Sequence, residues 1–252
     1  MTVHFIGAGP GAKDLITIRG LHLIRSCRVC LYAGSLVPRE MIADVPKEAK
    51  VLNTADMTLN AIIEEMRKAH ETGKDVARLH SGDPSLYGAI AEQIQRLDQL
   101  HIPYDITPGV PTFSAAAAAL KQELTIPGLN QSLILSRTSV HSSPMPKSES
   151  LVNLAASRAT IVLHLSAGNI AYIQSQLIPL YGKDCPVVVV ARVGWPDECI
   201  LRGILSSIDR DMAQIGIKRT AIIFIGKAMA SPSFPIRKSS LYAENCCRKI
   251  VL

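Results

Sequence analysis

The chain alternates short apolar segments with amphipathic segments, and this alternation restricts its fold more than any other feature. The segment VHFIGAG (3–9) is typical of a buried strand, LITIRGLHLIRS (15–26) has helical spacing behind the candidate N-cap Asp14, and VCLYAGS (29–35) is again strand-like. Thr58 can cap the next helix in the same way. Strands that alternate with helices predict an α/β fold with a largely parallel sheet.

A second series of strands and helices begins after a stretch rich in proline and glycine between Pro108 and Gly128. We therefore predict two α/β lobes, residues 1–112 and 113–229, followed by an irregular tail at 230–252. Ligands commonly bind in clefts between lobes, so we expect the binding site there.

Composition excludes several classes of protein. The chain has 252 residues, of which 48% are hydrophobic and 4% aromatic, and its six cysteines are scattered. Disordered proteins have fewer hydrophobic residues, collagen-like proteins have glycine at every third position, and disulfide scaffolds have many cysteines in a short chain, so we exclude these three classes. No window approaches the roughly 20 apolar residues of a membrane span and no signal-like segment opens the chain, so we expect a cytoplasmic protein with no membrane partner. A net charge of +6 favours an anionic partner.

The cysteines and histidines form no recognisable metal-binding pattern. Cys27 and Cys30 make a C-x-x-C, but no second pair stands at zinc spacing, and none of the seven histidines belongs to an H-E-x-x-H motif. We predict structural thiols and no metal site.

Three glycine-containing segments follow predicted strands of the first lobe. Gly7–Ala12 satisfies G-x-G-x-x-[G/A], which is compatible with dinucleotide binding. Such a site also needs an acidic residue at the end of the second strand, and segment 29–35 has none. Pro10 moreover lacks an N–H where a pyrophosphate would need a donor. The other two segments are SGDPSLYG (81–88) and TPGVPTFS (107–114), so the three together predict a ligand site at the carboxyl ends of parallel strands.

Taken together, these three motifs resemble those of the tetrapyrrole methylases, the S-adenosylmethionine-dependent enzymes of sirohaem and cobalamin synthesis, over residues 2–229. The segments YAGSLVP (32–38), HLSAG (164–168) and GWPDE (194–198) are similar to those of the subgroup that methylates C-11 of precorrin-4. Ala33 stands after Tyr32 where uroporphyrinogen methyltransferases typically carry Asp, which favours the same subgroup. The resemblance implies two α/β lobes with the methyl donor in the cleft between them, and a homodimer.

The resemblance also implies which residues contact S-adenosylmethionine. These predicted cofactor-binding residues are Pro10, Ser81, Gly82, Asp83, Leu86, Tyr87, Thr112, Leu165, Val193 and Ala221. Two positions depart from the family pattern. Pro111 has no backbone N–H to donate, and Val193 replaces a residue that is commonly smaller.

The implied reaction explains why the sequence shows no catalytic triad. The sulfonium carries an excellent leaving group and a reduced tetrapyrrole is an electron-rich carbon nucleophile, so transfer needs chiefly positioning and exclusion of water. A proton must later leave the ring, and Asp83, Tyr87 and His80 are the candidates to assist. No paired base accompanies them, so cofactor-binding or structural roles are favoured and the catalytic residue stays unassigned.

The positive charge has a candidate use, because precorrins carry many carboxylate arms. Arg137, Lys147 and Arg192 are the candidate carboxylate-binding residues, with ordinary surface charge as the alternative for each.

Our interpretation is S-adenosylmethionine-dependent methyl transfer to C-11 of precorrin-4, or of its cobalt form, in cobalamin biosynthesis. One alternative is a tetrapyrrole methylase that acts at a different ring carbon, and another is a dinucleotide-dependent oxidoreductase. A basic module that binds RNA is the third, although no basic stripe interleaved with aromatics supports a nucleic-acid partner.

The end of the chain, NCCRKIVL (245–252) with adjacent Cys246 and Cys247, departs from the family pattern. We predict that truncation after Tyr242 leaves methyl transfer intact, because no predicted site residue lies beyond Ala221. Transfer of labelled methyl groups by the truncated and full-length chains checks this. Loss of both folding and activity on truncation would contradict it.

Overall fold

The computed structural model describes residues 1–139 and 143–230, so the predicted tail at 230–252 lies outside the described residues except for Ala230. The chain forms two compact units. The first comprises Met1–Ala116 and Arg192–Glu198, and the second comprises the described residues of 117–191 and 199–230. The prediction had a single boundary between the lobes, after residue 112. In the structure the boundary falls after Ala116, and the later segment Arg192–Glu198 also belongs to the first unit.

The first unit is built around a five-stranded sheet. Its strands are β1 Val3–Gly7, β2 Val29–Tyr32, β3 Lys50–Asn53, β4 Val76–His80 and β5 Tyr104–Thr107. They lie in the order β3-β2-β4-β1-β5, and every neighbouring pair is parallel. The chain thus leaves β1 toward one side of the sheet and later reaches β5 on the other, so the switch point where ligands bind in such sheets lies at the carboxyl ends of β1 and its neighbours.

Helices cover both faces of this sheet. They are α1 Ile18–Ser26 on one face and α2 Leu59–Glu71 and α3 Ile90–Gln99 on the other, and a fourth helix, α4 Thr112–Ala119, follows β5 in the chain. Phe5 on β1 packs in one apolar cluster with Met66 of α2 and Leu97 of α3. Ile6, the next residue, packs in another with Ile24 of α1. This two-residue alternation in a strand buried on both faces produces the three-layer arrangement.

Threonine side chains begin the first two helices. Thr58 accepts a hydrogen bond from the N–H of Ala61, which confirms the predicted cap. The predicted cap Asp14 is wrong, because Asp14 lies in a 3₁₀ turn and Thr17 accepts from the N–H of Gly20 at 3.0 Å. The 3₁₀ turn uses the residues that the apolar pattern assigned to the first helical turn.

The second unit contains a mixed sheet. Its strands are β6 Leu133–Arg137, β7 Thr160–His164, β8 Pro186–Ala191, β9 Cys199–Ile204 and β10 Ala221–Ile225. They lie in the order β6-β7-β10-β8-β9; β6 and β7 are parallel, and the other three pairings are antiparallel. The predicted parallel pairing therefore holds for the first sheet, whereas the second departs from it.

Three helices share the apolar core of the second unit, α5 Leu151–Ala155, α6 Ile170–Tyr181 and α7 Ile208–Gln214. Leu163 on β7, Val189 on β8 and Ile223 on β10 are fully buried in that core. Central strands supply one wall of the core and the helices cover it, as in other α/β layers.

Within the described ranges, no helix is both long enough and apolar enough to cross a membrane. The same part of the chain contains no group of three or more His, Cys, Asp and Glu side chains that could hold a metal ion. Cys27 and Cys30 are buried in the cluster around Ile24, and burial raises the pKa of each thiol to about 12. Both therefore stay protonated at neutral pH.

Candidate functional site

The turns that follow β1 and β4 touch through their backbones. The N–H of Gly9 donates to the carbonyl oxygen of Gly82 at 3.2 Å, and the N–H of Gly82 donates to the carbonyl oxygen of Gly9 at 2.7 Å. A Cβ on Gly7 would lie 2.8 Å from the carbonyl oxygen of Gly82 and closer still to the backbone nitrogen of Gly109. The three predicted motifs therefore meet at one edge of the first sheet, and they do so because glycines stand at the contact.

Asp83 ties the second turn to the third. Its Oδ2 accepts the backbone N–H of Gly109 at 2.9 Å, and its Oδ1 accepts both the N–H and the hydroxyl of Ser85. Burial raises the pKa of the Asp83 carboxyl, but the hydrogen bonds from Ser85 and Gly109 together outweigh it and lower that pKa. An ionised carboxylate with its lone pairs engaged is a poor proton acceptor, so the geometry favours a positioning role.

His80, at the end of β4, is 7% exposed, and its Nε2 is buried without a hydrogen-bond partner in the described part of the chain. Burial, and after it the charge of Arg78, lowers the pKa of His80 to about 3. The imidazole is therefore neutral at physiological pH, and its low basicity argues against a general base.

Arg78 is a site-flanking residue that sequence reasoning missed. It is 6% exposed, and its guanidinium donates to Gln93 Oε1 at 3.2 Å and to Thr54 Oγ1 at 2.9 Å. Gln93 in turn donates to the carbonyl oxygen of Ala89, so the network joins β4 to the start of α3. Burial lowers the pKa of Arg78 to about 10, which leaves it charged. A charged residue inside the apolar strand VARLH was the signal that could have found it.

Two predicted contact residues combine exposure with an uncommon backbone conformation. Tyr87 is 40% exposed with φ +58°, and Leu165 is 63% exposed with φ +54°. A left-handed conformation costs a bulky residue on the order of 1–3 kcal/mol, and such residues cluster at ligand sites. Both side chains are therefore presented outward at a cost in stability.

Most of the other predicted cofactor residues of the first unit surround the same glycine contact. Pro10 is buried next to Gly9, and Thr112 begins α4, its Oγ1 3.6 Å from the place of a Cβ on Gly82. Ser81 and Leu86 are half-buried within the second turn, where the Leu86 N–H donates to the carbonyl oxygen of Asp83.

Val193, which lies in the segment Arg192–Glu198, also contacts the first glycine turn. It is 4% exposed, and its carbonyl oxygen lies 2.7 Å from the place of a Cβ on Gly11. The structure thus brings this predicted contact residue beside the first glycine turn.

Leu165 and Ala221 lie at one edge of the second sheet. Leu163 on β7 pairs with Ile223 on the antiparallel strand β10. Leu165 follows Leu163 by two residues and Ala221 precedes Ile223 by two, so both lie toward the same end of this strand pair. Ala221 also pairs with Ala191, the last residue of β8. This is the edge where β7 and β8 end.

The candidate carboxylate-binding residues separate into two places. Arg137 and Lys147 line one cavity of about 450 Å³ in the second unit, together with Thr138, Glu149 and Tyr172. Arg137 donates to the carbonyl oxygen of Ser143 at 2.9 Å. Arg192 instead lies in the first unit, where its Nε donates to Asp197 at 2.6 Å and its guanidinium stacks on Trp195. The structure thus brings together only two of the three.

Comparison with known proteins identifies the family. Residues 2–209 match the family of Tetrapyrrole (Corrin/Porphyrin) Methylases. The chain belongs to the tetrapyrrole methylases. It is 52% identical to a precorrin-4 C(11)-methyltransferase of a Sinorhizobium species, over 96% of this chain and 95% of that protein. It is 42% identical to the cobalt-precorrin-4 C(11)-methyltransferase of Methanocaldococcus jannaschii, over 96% and 93%.

A solved structure agrees with this assignment. The cobalamin biosynthetic enzyme cobalt precorrin-4 methyltransferase, CbiF, superposes with a TM-score of 0.88 at 42% identity, covering 91% of this chain and 96% of that one. This tetrapyrrole methylase therefore has the mixed α/β fold with two sheets that the sequence predicted.

The glycine contact gives a direct test. We expect Gly7→Ala to lower the free energy of unfolding by about 1–3 kcal/mol, because its Cβ would overlap backbone atoms that cannot rotate away. Gly168→Ala is the matched control, since the nearest atom to its Cβ would lie 3.7 Å away. Urea denaturation of both variants measures the difference. Equal stabilities would show that the turns do not need this contact.

Proposed function

We propose that this tetrapyrrole methylase transfers a methyl group from S-adenosylmethionine to C-11 of precorrin-4 or its cobalt form. The observation that carries the proposal is the meeting of three glycine turns at the switch point of the first sheet. Identity of 52% with a relative named for precorrin-4, against 42% with one named for cobalt-precorrin-4, supports the metal-free substrate.

Glycines allow the three turns to touch through their backbones. A Cβ at Gly7 or at Gly109 would overlap backbone atoms of another turn. Asp83 fixes two of the turns to each other. We propose that the predicted residues around them, from Pro10 to Thr112, hold the methyl donor.

When bound, S-adenosylmethionine supplies an electrophilic methyl group, and its sulfonium becomes a neutral thioether once that methyl group has been transferred. The protein's own part is to position and to exclude water. In the first unit, the exposed side chain of Tyr87 is the surface that we assign to this task. Asp83 and His80 are weakly basic where they stand, so we assign neither as the base that receives the ring proton.

We further propose that the cavity lined by Arg137 and Lys147 receives a carboxylate arm of the tetrapyrrole. Arg137 ends β6, and Lys147 lies in the 3₁₀ turn Lys147–Glu149, so both cations border one space. A guanidinium and an ammonium there attract a carboxylate, although Glu149 partly offsets their charge. Arg192 is left out of this proposal because it does not line this cavity.

A homodimer in the cytoplasm completes the proposal. The family resemblance supports the dimer, and sedimentation of the purified chain at several concentrations tests it. A monomer at every concentration would remove this part while leaving the catalytic proposal untouched.

Calorimetric titration tests the cofactor. We expect micromolar binding of S-adenosylhomocysteine and no heat from NADH or a short RNA in the same salt, because the first glycine turn lacks the acidic partner of a dinucleotide site. A response to NADH alone would instead favour an oxidoreductase. Incubation with precorrin-4 and with its cobalt form then identifies the substrate by which one gains a methyl group at C-11.

Asp83→Ala probes the turns themselves. We expect the Kd for S-adenosylhomocysteine to rise about ten-fold, since the N–H groups of Gly109 and Ser85 lose their shared acceptor. Ser85→Ala is the matched control, because it removes only the hydroxyl and keeps the backbone hydrogen bond. An unchanged Kd in Asp83→Ala would remove this residue from the site.

For the carboxylate cavity, we expect Arg137→Gln and Lys147→Gln each to raise the KM for the tetrapyrrole roughly five-fold while leaving the KM for the methyl donor unchanged. Lys183→Gln changes charge equally at an exposed position outside the cavity and serves as the control. Steady-state kinetics at two salt concentrations measures the effect. Equal KM values in all three variants would contradict a carboxylate site there.

A further inference from the structure

Hydrogen bonds from its own side chains stabilise the loop Arg192–Glu198. Glu198 Oε2 accepts the N–H of Gly194 at 2.8 Å, and Asp197 accepts the Nε–H of Arg192 at 2.6 Å. Arg192 and Gly194 both have positive φ, +50° and +74°. The two acidic side chains of GWPDE therefore add to the backbone hydrogen bonds of this tight turn, in which the N–H of Trp195 donates to the carbonyl oxygen of Arg192 and the N–H of Glu198 donates to that of Trp195.

Within this loop, Trp195 is fixed between a cation and the first glycine turn. The guanidinium carbon of Arg192 lies 4.1 Å from the centre of the indole ring. A Cβ on Gly11 would lie 2.7 Å from Nε1 of Trp195, and nearer still to Cδ1. The indole edge thus occupies the space where any other residue at position 11 would place its side chain.

Gly194, the residue before Trp195, also lies against the first glycine turn. A Cβ on Gly194 would lie 2.7 Å from the backbone nitrogen of Ala12 and 3.3 Å from its Cβ. Gly11 and Gly194 both lack a side chain at this contact, which lets the two backbones approach each other closely. The loop therefore covers Gly11 and Ala12 directly beside Pro10.

We propose that Trp195 is a positioning residue of the methyl-donor site, which holds the turn Pro10–Ala12 in its ligand-binding conformation. This inference rests on the proposed function, because it assigns a support to the turn that binds the donor. Asp197 and Glu198 act one step further away, by holding Arg192 and Gly194, and through them the indole. The motif GWPDE then supports the cofactor turn although it begins 182 residues after Ala12 in the sequence.

The chain offers an unusually direct readout, because Trp195 is its only tryptophan. Intrinsic tryptophan fluorescence therefore reports on this contact alone. We expect emission to change on titration with S-adenosylhomocysteine and to saturate with the Kd that calorimetry gives. Trp195→Phe, which keeps an aromatic ring, supplies the blank for this signal.

Variants separate positioning from stability. We expect Trp195→Ala to raise the Kd for S-adenosylhomocysteine about ten-fold, and Trp195→Phe to recover part of that loss. The effects of Gly11→Ala and Trp195→Ala should be less than additive in the double variant, because both disturb one contact. Ile215→Ala, an exposed apolar truncation in the second unit, should leave the Kd unchanged.

Each outcome bears on a different statement. Absence of S-adenosylhomocysteine binding by the unmodified chain overturns the proposed cofactor and this inference with it. Normal binding by the unmodified chain, with an unchanged Kd in Trp195→Ala or additive effects in the double variant, overturns only the role of Trp195. If Trp195→Ala fails to fold, a Kd in Trp195→Phe equal to that of the unmodified chain overturns it as well.

Discussion

The close approach of Gly7, Gly82 and Gly109 is the constraint on which the candidate site depends. A side chain at Gly7 would overlap the backbone of the other two, so strands β4, β1 and β5 can end together only while that position has no Cβ. The parallel order of the sheet places β1 between the other two and makes this meeting possible. The three turns are therefore joined by backbone contacts, and the predicted cofactor-binding residues of the first unit stand around this junction.

Around this contact, the ionisable groups are held in states that suit positioning better than proton transfer. Asp83 is ionised and accepts from Ser85 and Gly109, while His80 is neutral because burial and the Arg78 charge oppose its protonation. Arg78 itself joins β4 to α3 through Gln93. A methyl group on a sulfonium needs orientation and a dry environment more than it needs an acid or a base, and the site matches that requirement.

The sequence predicted what depends on local pattern. The three glycine motifs, the Thr58 cap and the parallel first sheet all follow from residue types at short spacing. The apolar run VVVVA has the same pattern in either strand direction, so periodicity did not show that the second sheet is mixed. The connection Arg192–Glu198 was the available signal, because it is too short for a parallel crossover between β8 and β9. The hydrogen-bond partners of Arg78 and the contact of Trp195 with Gly11 depend on residues distant in sequence, which periodicity does not encode.

Backbone strain gives an independent reason to place function at the assigned segments. Eight described residues other than glycine have positive φ. Three of them, His101, Lys121 and Arg158, follow helices, where a left-handed residue commonly ends the helix. The other five have no such explanation, and each lies in or beside a segment that the family motifs assign to a ligand: Tyr87, Ala89, Leu165, Arg192 and Thr220. A strained backbone conformation lowers the stability of the fold wherever it occurs. Its occurrence at these five positions is therefore consistent with selection for the geometry of a ligand site rather than for stability.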